Sequence, residues 1–433
     1  MQRERSLDRL YALVANEEDA RACRDIPDNA CREVPRNFFL ILGSLVLTKL
    51  GDLLINPKTV LAWLIGAIGA PAALAAWLVP IRESGSMMPQ LVIGAWVRAH
   101  PRRAGFWVLG SVIQGLCVLG MAAAVWMLEG TPAGYAIVAL LVVFSLGRGL
   151  CSVAMKDVQG KTVPKQRRGR LGGLASTVAG VLTAALGFWL FVAGDPDKRF
   201  YTLLLIVAGL LWMAAALLFS RIDEYEGETA GGGNALRRAW ESLALLREDL
   251  PFRNFVISRA LLLGSALAAP FFVLLAQQIS GEAALLGAFL LASALGSSLS
   301  ATVWGYMADR SSRQVMALGG GLASVVCLAV GVGALWAGSE AGPLLWLIPP
   351  AYLVLSIAHA GVRIGRKTWI VDIAGGNRRT DYVSVSNTLI GVILLFTGAL
   401  GAVASLVSVP AVIVLLGVMG LAGTLMARAL PEA

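Results

Sequence analysis

Apolar residues run along this chain in long blocks broken by short polar turns, without the strict alternation of a half-buried strand. Blocks of roughly twenty apolar residues are what a helix needs to cross the hydrocarbon core of a bilayer. They fall at 37–55, 59–80, 104–128, 133–157, 171–193 and 201–219, and again at 252–277, 284–307, 315–337, 344–370, 383–407 and 411–429. The expected fold is an all-α polytopic membrane protein of twelve transmembrane helices. A polar stretch separates six from six. The expected organisation is an N-terminal tail (1–36), a six-helix bundle (37–219), a linker (220–251) and a second six-helix bundle (252–433).

The polar segments carry some order of their own. In the tail, Ser6 can cap a short helix whose Leu7, Leu10, Tyr11 and Val14 share a face. The linker opens with Asp223, Glu224, Glu226 and Glu228 and passes through Gly231-Gly232-Gly233. It ends in a predicted amphipathic helix over 235–248, where Leu236, Trp240, Leu243 and Ala244 face one way; a brace beneath the bundle is its expected role.

Composition agrees with the pattern. Of 433 residues 57% are hydrophobic and only 15% charged, where soluble domains average about 25% charged. The formal charge of +9 reports topology more than a nucleic-acid partner, because the 36 Lys and Arg are not scattered. They gather before the first block and after every even one. The odd turns hold Lys58, Glu129, Asp195 to Arg199, Glu282 and Glu340, with Lys58, Lys198 and Arg199 as their clear cations. That asymmetry predicts a multi-pass protein of the cytoplasmic membrane with both termini cytoplasmic. The first 36 residues lack the apolar core of a signal peptide and are expected to stay in the cytoplasm. Five cysteines without a CxxC pair or neighbouring histidines point to neither a disulfide framework nor a metal site.

The halves read as copies. Arg148 and Arg363, Asp157 and Asp372, and Gly160 and Gly375 are each 215 positions apart, and Arg36-Asn37-Phe38 and Arg253-Asn254-Phe255 are 217 apart. Duplicated bundles of this kind hold a solute site between the repeats near the midplane.

The residues Gly305-Tyr306-Met307-Ala308-Asp309-Arg310-Ser311-Ser312-Arg313, in the turn after the eighth block, carry a resemblance to the major facilitator superfamily over roughly 37–430. The stretch is similar to that family's glycine, acid, basic, basic loop, with Ser312 in place of its usual second glycine. Arg168-Gly169-Arg170 resembles a second recurrent turn, and Arg148 resembles the family's buried arginine. The first-half turn is placed at Arg82 to Gln90; it departs from the pattern and precedes an insertion ending in Arg98, His100, Arg102 and Arg103. The drug-antiporter motif is missing, since no proline lies between Leu171 and Ala193. The resemblance implies alternating access between two bundles, with Gly305, Asp309, Arg310, Arg313, Arg168, Arg170, Asp157 and Asp372 forming a cytoplasmic gate.

Ionisable residues inside apolar blocks are functional candidates, because burying each costs about 2.5–3.5 kcal/mol on the insertion scale. Lys49 and Asp52 stand three apart on one helical face and can neutralise one another, which suits proton coupling; equally, both can snorkel toward external water at Asn56-Pro57-Lys58. Arg148 and Arg363 can grip an anionic solute group, or serve as staples to Asp157 and Asp372 formed across helices. His359 is a second proton candidate, Arg259 a weaker solute contact, and Gln114 and Asn387 hydrogen-bond either solute or neighbouring helices.

These residues suit a secondary transporter for a small organic solute, proton-coupled and monomeric, working in the lipid bilayer without cofactor, metal or nucleic acid. A membrane enzyme lacks its parts, with two His in the chain, no HExxH, no GxSxG and no phosphate loop. A lipid or lysolipid flippase, or a non-transporting assembly factor, on the same scaffold stays open as the alternative.

Overall fold

The computed structural model describes residues 33–193, 198–227, 229, 244–282, 284–338, 342–373 and 379–432. The predicted tail helix and the 235–243 part of the linker helix lie outside them. Helices account for nearly everything described, and no strand occurs among the described residues.

The described residues traverse the bundle twelve times. The first pass is α1 (Val34–Leu54) and α2 (Val60–Ala67), and the second is α3 (Ala72–Met87) and α4 (Gln90–Arg98). Single helices make the next four: α5 (Ala104–Met127), α6 (Gly130–Thr162), α7 (Lys165–Ala193) and α8 (Lys198–Phe219). After the short α9 (Leu245–Glu248), the seventh pass is built of α10 (Leu250–Leu261), α11 (Gly264–Leu267) and α12 (Ala269–Ile279). The remaining passes are α13 (Ala284–Arg310), α14 (Ser312–Ala337), α15 (Ile348–Ile373), α16 (Arg379–Ser405) and α17 (Val409–Arg428).

Ten of these passes are long and apolar enough to cross a membrane. The two outside that set are the second, broken at Pro89, and the tenth, which carries Arg363, Arg366, Lys367 and Asp372. Both bring polar groups into the middle of the bundle. With twelve passes, the first and last described residues lie at the same end, together with Arg102, Arg103, Arg168, Arg221 and Arg313; we call this the basic end.

The first two passes correct the boundaries read from the sequence. Asn56-Pro57-Lys58 looks like an external turn by composition, yet it is a break within the first pass. The real turn is Ile68 to Pro71, where Gly69 takes φ +72 and the Ile68 carbonyl accepts from the N–H of Gly130, itself at φ +60 in the turn between α5 and α6. Both positions need glycine because their φ lies in the left-handed region. Pro57 cannot donate to a helical ladder, so the helix stops there. The break satisfies itself instead: the N–H groups of Thr59 and Leu61 donate to the Asn56 carbonyl, and the Lys58 N–H donates to Asn56 Oδ1 at 2.9 Å. In consequence Arg82 to Gln90 is no loop but the interior of the second pass. The first-half turn at the basic end is Ala99 to Arg103, and Arg98 follows Gly94 by the spacing at which Asp309 follows Gly305.

Within each half the third helix packs on the sixth and the fourth, as α5 does on α8 and α6, and α14 on α17 and α15. Between halves the long seams are α3 with α16 and α7 with α13, joined by α2 with α12. The first two seams exchange when the halves are swapped, which is the pseudo-twofold relation that the 215-residue offset implies.

The seams are tight at the end away from the basic residues. A Cβ on Gly287 would lie 2.4 Å from the Phe191 nitrogen and 2.6 Å from the Gly187 carbonyl oxygen, so α7 and α13 touch backbone to backbone there. Gln277 Nε2 donates to the Trp63 carbonyl at 2.9 Å, closing α12 on α2. Toward the basic end no such contact is seen on these helices: nothing lies within 4 Å of a Cβ built on Gly172, Gly173 or Gly305, and Arg363 and Lys367 on α15 are exposed. The cleft between the halves opens at the basic end.

Candidate functional site

The break in the first pass and the polar middle of the second and tenth passes bring the charges together. Asp52, near the end of α1, is held on both oxygens. Arg82 Nη2 donates to its Oδ1 at 2.5 Å and Arg148 Nη1 to its Oδ2. Arg82 is deeply buried and also lies 4.9 Å over the Phe144 ring, a cation–π contact that fixes its plane. The Arg148 side chain remains 38% exposed despite standing mid-pass on α6, so the cleft reaches it.

The pairing expected between Lys49 and Asp52 is thus replaced: two guanidinium groups on neighbouring helices take both carboxylate oxygens. Lys49 is half-buried and makes no ion pair among the described residues, and it lies within electrostatic reach of Asp52, Arg148 and Arg363. The same geometry removes the snorkelling alternative, because Asn56-Pro57-Lys58 is not at an external surface. Arg148 is bonded to Asp52 and not to Asp157. Asp157 instead binds Arg103 and, at 3.1 Å, Lys161 at the basic end, while Asp372 is exposed.

Across the cleft, Lys58 Nζ lies 3.0 Å from His359 Nε2, and His359 Nδ1 lies 3.1 Å from Ser265 Oγ. An ammonium donates only, so Nε2 accepts from Lys58 and Nδ1–H donates to the hydroxyl; His359 is neutral in this arrangement. Arg259 donates from Nη1 to Ser386 Oγ at 2.6 Å and from Nη2 to Asn387 Oδ1 at 2.9 Å, and its buried Nε has no partner among the described residues. Arg363 is exposed to the cleft, with Arg366 and Lys367 one turn on. Gln114 is turned away, donating to the Gly110 carbonyl and to Cys151 Sγ; it packs helices together.

One residue the sequence reading assigned to a loop belongs here. Glu83, half-buried on α3, interacts electrostatically with Lys58, Arg82, Arg148, Arg259, Arg366 and Lys367 and forms no direct ion pair among the described residues. The signal was available: Arg82 and Glu83 follow an apolar run that is only half a pass long once Pro57 is read as a break. Eight cations thus share this cleft with two acids among the described residues, Lys49, Lys58, Arg82, Arg148, Arg259, Arg363, Arg366 and Lys367 facing Asp52 and Glu83.

The expected gate residues occupy the basic end in a separated state. Asp309 and Arg310 are exposed at the end of α13, and Asp309 makes no ion pair among the described residues. Arg313 binds Glu432 and donates to the Leu430 carbonyl at 3.0 Å. Arg168 donates to the carbonyls of Val163 and Gly160, and the side chain of Arg170 lies outside the described residues.

A different polar knot organises this end. Glu224, its side chain 2% exposed, accepts the backbone N–H groups of Arg103 and Ala104 at 2.7 and 2.6 Å and the Lys161 ammonium at 2.9 Å. A carboxylate is favoured there because the first N–H groups of α5 lack helical partners. The second half repeats the device, since Glu432 accepts from Ser311 Oγ at 2.9 Å and binds Arg313 at the start of α14.

Two six-helix halves around a polar cleft, with inter-half seams at the second and eleventh and the fifth and eighth passes, define the fold of the major facilitator superfamily transporters in a multi-pass membrane protein. The chain superposes on the crystal structure of a D-xylose–proton symporter with TM-score 0.68 at 10% identity, over 91% of this chain and 98% of that one. The nucleoside transporter NupG gives 0.68 at 11% identity, over 91% of this chain and 100% of that one. A POT family transporter in complex with a thioalcohol-conjugated peptide gives 0.66 at 14%, over 93% and 98%. No family model matches the sequence. Uncharacterized proteins of Mycobacterium tuberculosis and Mycobacterium bovis are 26% identical over 267 residues, which is 59% of this chain; the match spans about half, 50%, of those relatives' length.

Proposed function

We propose that the chain is a secondary transporter for a small anionic solute, working by alternating access, with the basic end and both termini on the cytoplasmic side. The observation that carries this reading is the excess of eight cations over two acids in a cleft shared by both halves. Arginine and lysine are costly inside a membrane unless they face water or a partner of opposite sign. Asp52 is bonded directly to Arg82 and Arg148. The cations of the tenth pass make no ion pair among the described residues, and Arg363 presents its planar fork of donors to the cleft, a geometry suited to carboxylate or phosphate oxygens. The orientation follows from the gathering of basic residues at one end. Support for transport as such comes from the fold, shared with carriers of a sugar, nucleosides and peptides.

In this reading Arg363, Arg366 and Lys49 contact the solute, Arg148 lies at its edge, and Asp52 is the fixed counter-ion of the first half. Glu83, which makes no direct ion pair among the described residues, is the acid that can change partners on solute binding. Purified protein in liposomes, tested with radiolabelled inorganic phosphate, succinate, a neutral sugar and an amine, decides the matter. Uptake of an anion that falls at least about tenfold in kcat/KM with Arg363→Gln is expected, the loss of one charge-assisted contact. Uptake of the sugar or the amine with the anions excluded would refute the reading.

A further inference from the structure

We propose that this carrier is an obligate exchanger: the cleft closes over its charges only with an anion bound, so transport runs as anion for anion. The proposal rests on the anionic-solute reading above and adds the rule by which the protein cycles.

The argument is one of charge left behind on closure. Of the cleft's cations, Arg82 and Arg148 are bonded directly to Asp52 and carry their compensation with them in any conformation that preserves the first half. The other six are bonded directly to neither acid, and two acids against eight cations leave six positive charges in excess among the described residues. Their remaining partners are uncharged. Lys58 is bonded to a neutral imidazole, and Arg259 to a hydroxyl and an amide oxygen, with its Nε unpaired. In the conformation seen here Arg363 and Lys367 are exposed, so water offsets their charge.

To change sides, α7 and α13 must meet toward the basic end as they already do at Gly187 and Gly287, and the cleft then loses that water. Desolvating several like charges at once is costly when no counter-charge enters with them. A bound anion of two or more charges supplies it. The anion-free protein therefore stays open on whichever side it last released its solute, and it returns only with another anion. Glu83 alone is too little to replace the solute, being one carboxylate facing six cations.

The experiment compares uptake of radiolabelled inorganic phosphate or succinate into proteoliposomes preloaded with the same unlabelled anion and into vesicles preloaded with sucrose. Valinomycin and equal potassium on both sides clamp the potential, so that charge build-up does not limit net entry. If the closed, anion-free conformation is held below about 1% of the population, exchange exceeds net uptake by about a hundredfold. Lys367→Glu, which lowers the excess by two charges, is expected to narrow that ratio at least about tenfold by raising net uptake, and Lys367→Gln by less. Equal wild-type rates in anion-loaded and sucrose-loaded vesicles would overturn obligate exchange while leaving anion transport standing. Absence of anion uptake in both kinds of vesicle would overturn the anion reading and the exchange rule with it. A ratio unchanged in Lys367→Glu protein that still transports would show that the charge excess is not its cause.

Discussion

Asp52→Asn removes the one carboxylate that Arg82 and Arg148 share, and its cost can be worked from their burial. Breaking a buried ion pair by deleting one partner costs about 3–5 kcal/mol, because the remaining charge stays desolvated. Arg82, with its side chain 9% exposed and wedged over Phe144, falls under that rule. Arg148, at 38%, is screened by water in the cleft and adds about 0–1 kcal/mol. Asparagine keeps an acceptor for one arginine, which returns part of the loss. The net expectation is about 3 kcal/mol, or a drop in Tm of roughly 5 °C in detergent. Lys49→Gln serves as the internal control: Lys49 has no direct ion pair among the described residues and should leave the Tm within about 1 °C. Adding Arg82→Gln to Asp52→Asn should recover more than half of the loss, since it removes the stranded charge. Melting curves of the four proteins settle the point. Equal losses for Asp52→Asn and Lys49→Gln, or no recovery in the double variant, would refute the arginine-clamped carboxylate.

Glu224→Gln should cost about 2–4 kcal/mol in thermal unfolding, because a buried charge on two helix-terminal N–H groups and an ammonium is lost, whereas Glu226→Gln, whose pair with Arg102 is 69% and 68% exposed, should change stability by less than about 0.5 kcal/mol. Tyr201→Phe leaves the buried Trp63 indole N–H without its 2.8 Å acceptor and should cost about 1–3 kcal/mol, read from the same melts. Gly287→Val pushes a side chain into the Phe191 backbone, so the closed end of the α7–α13 seam should loosen and the basic ends approach; spin labels at Ser176→Cys and Val303→Cys, both exposed, should report a shorter mean distance than in the parent.

The passes that were easiest to find in the sequence are the ones that do least chemistry. Uninterrupted apolar helices such as α5, α8 and α14 show themselves by length and hydropathy alone. The first two passes were misdivided because Pro57 next to Asn56 and Lys58 carries the same local chemistry whether it sits in a turn or in a break inside the bundle. That single misdivision placed Arg82 and Glu83 in a loop and put Arg98 to Arg103 in an insertion. Arg148, Arg363 and Asp52 were identifiable because a charge in an apolar run is expensive wherever it points. Their partners were not: Arg82 stands thirty positions from Asp52 and Arg148 nearly a hundred, and spacing within one helix favoured Lys49. Which of several nearby groups takes a carboxylate's oxygens is decided by how helices cross, and periodicity carries no information about that.

The two glutamates that follow the sixth and twelfth passes have a consequence for how the molecule is put together. Glu224 and Glu432 each return the chain leaving a half to the start of that half's third helix, and Gly227 N–H adds a bond to the Pro101 carbonyl. The first half is thereby tied off before the connecting segment begins and the second after its own last pass, so neither needs the far side of that segment to finish it. The halves should then tolerate being made as two polypeptides. Fragments ending at 229 and starting at 244, produced together in one cell, are expected to find each other through the α3–α16 and α7–α13 seams and to copurify. A protein assembled in that way would owe its unity to its interface and not to its covalent thread.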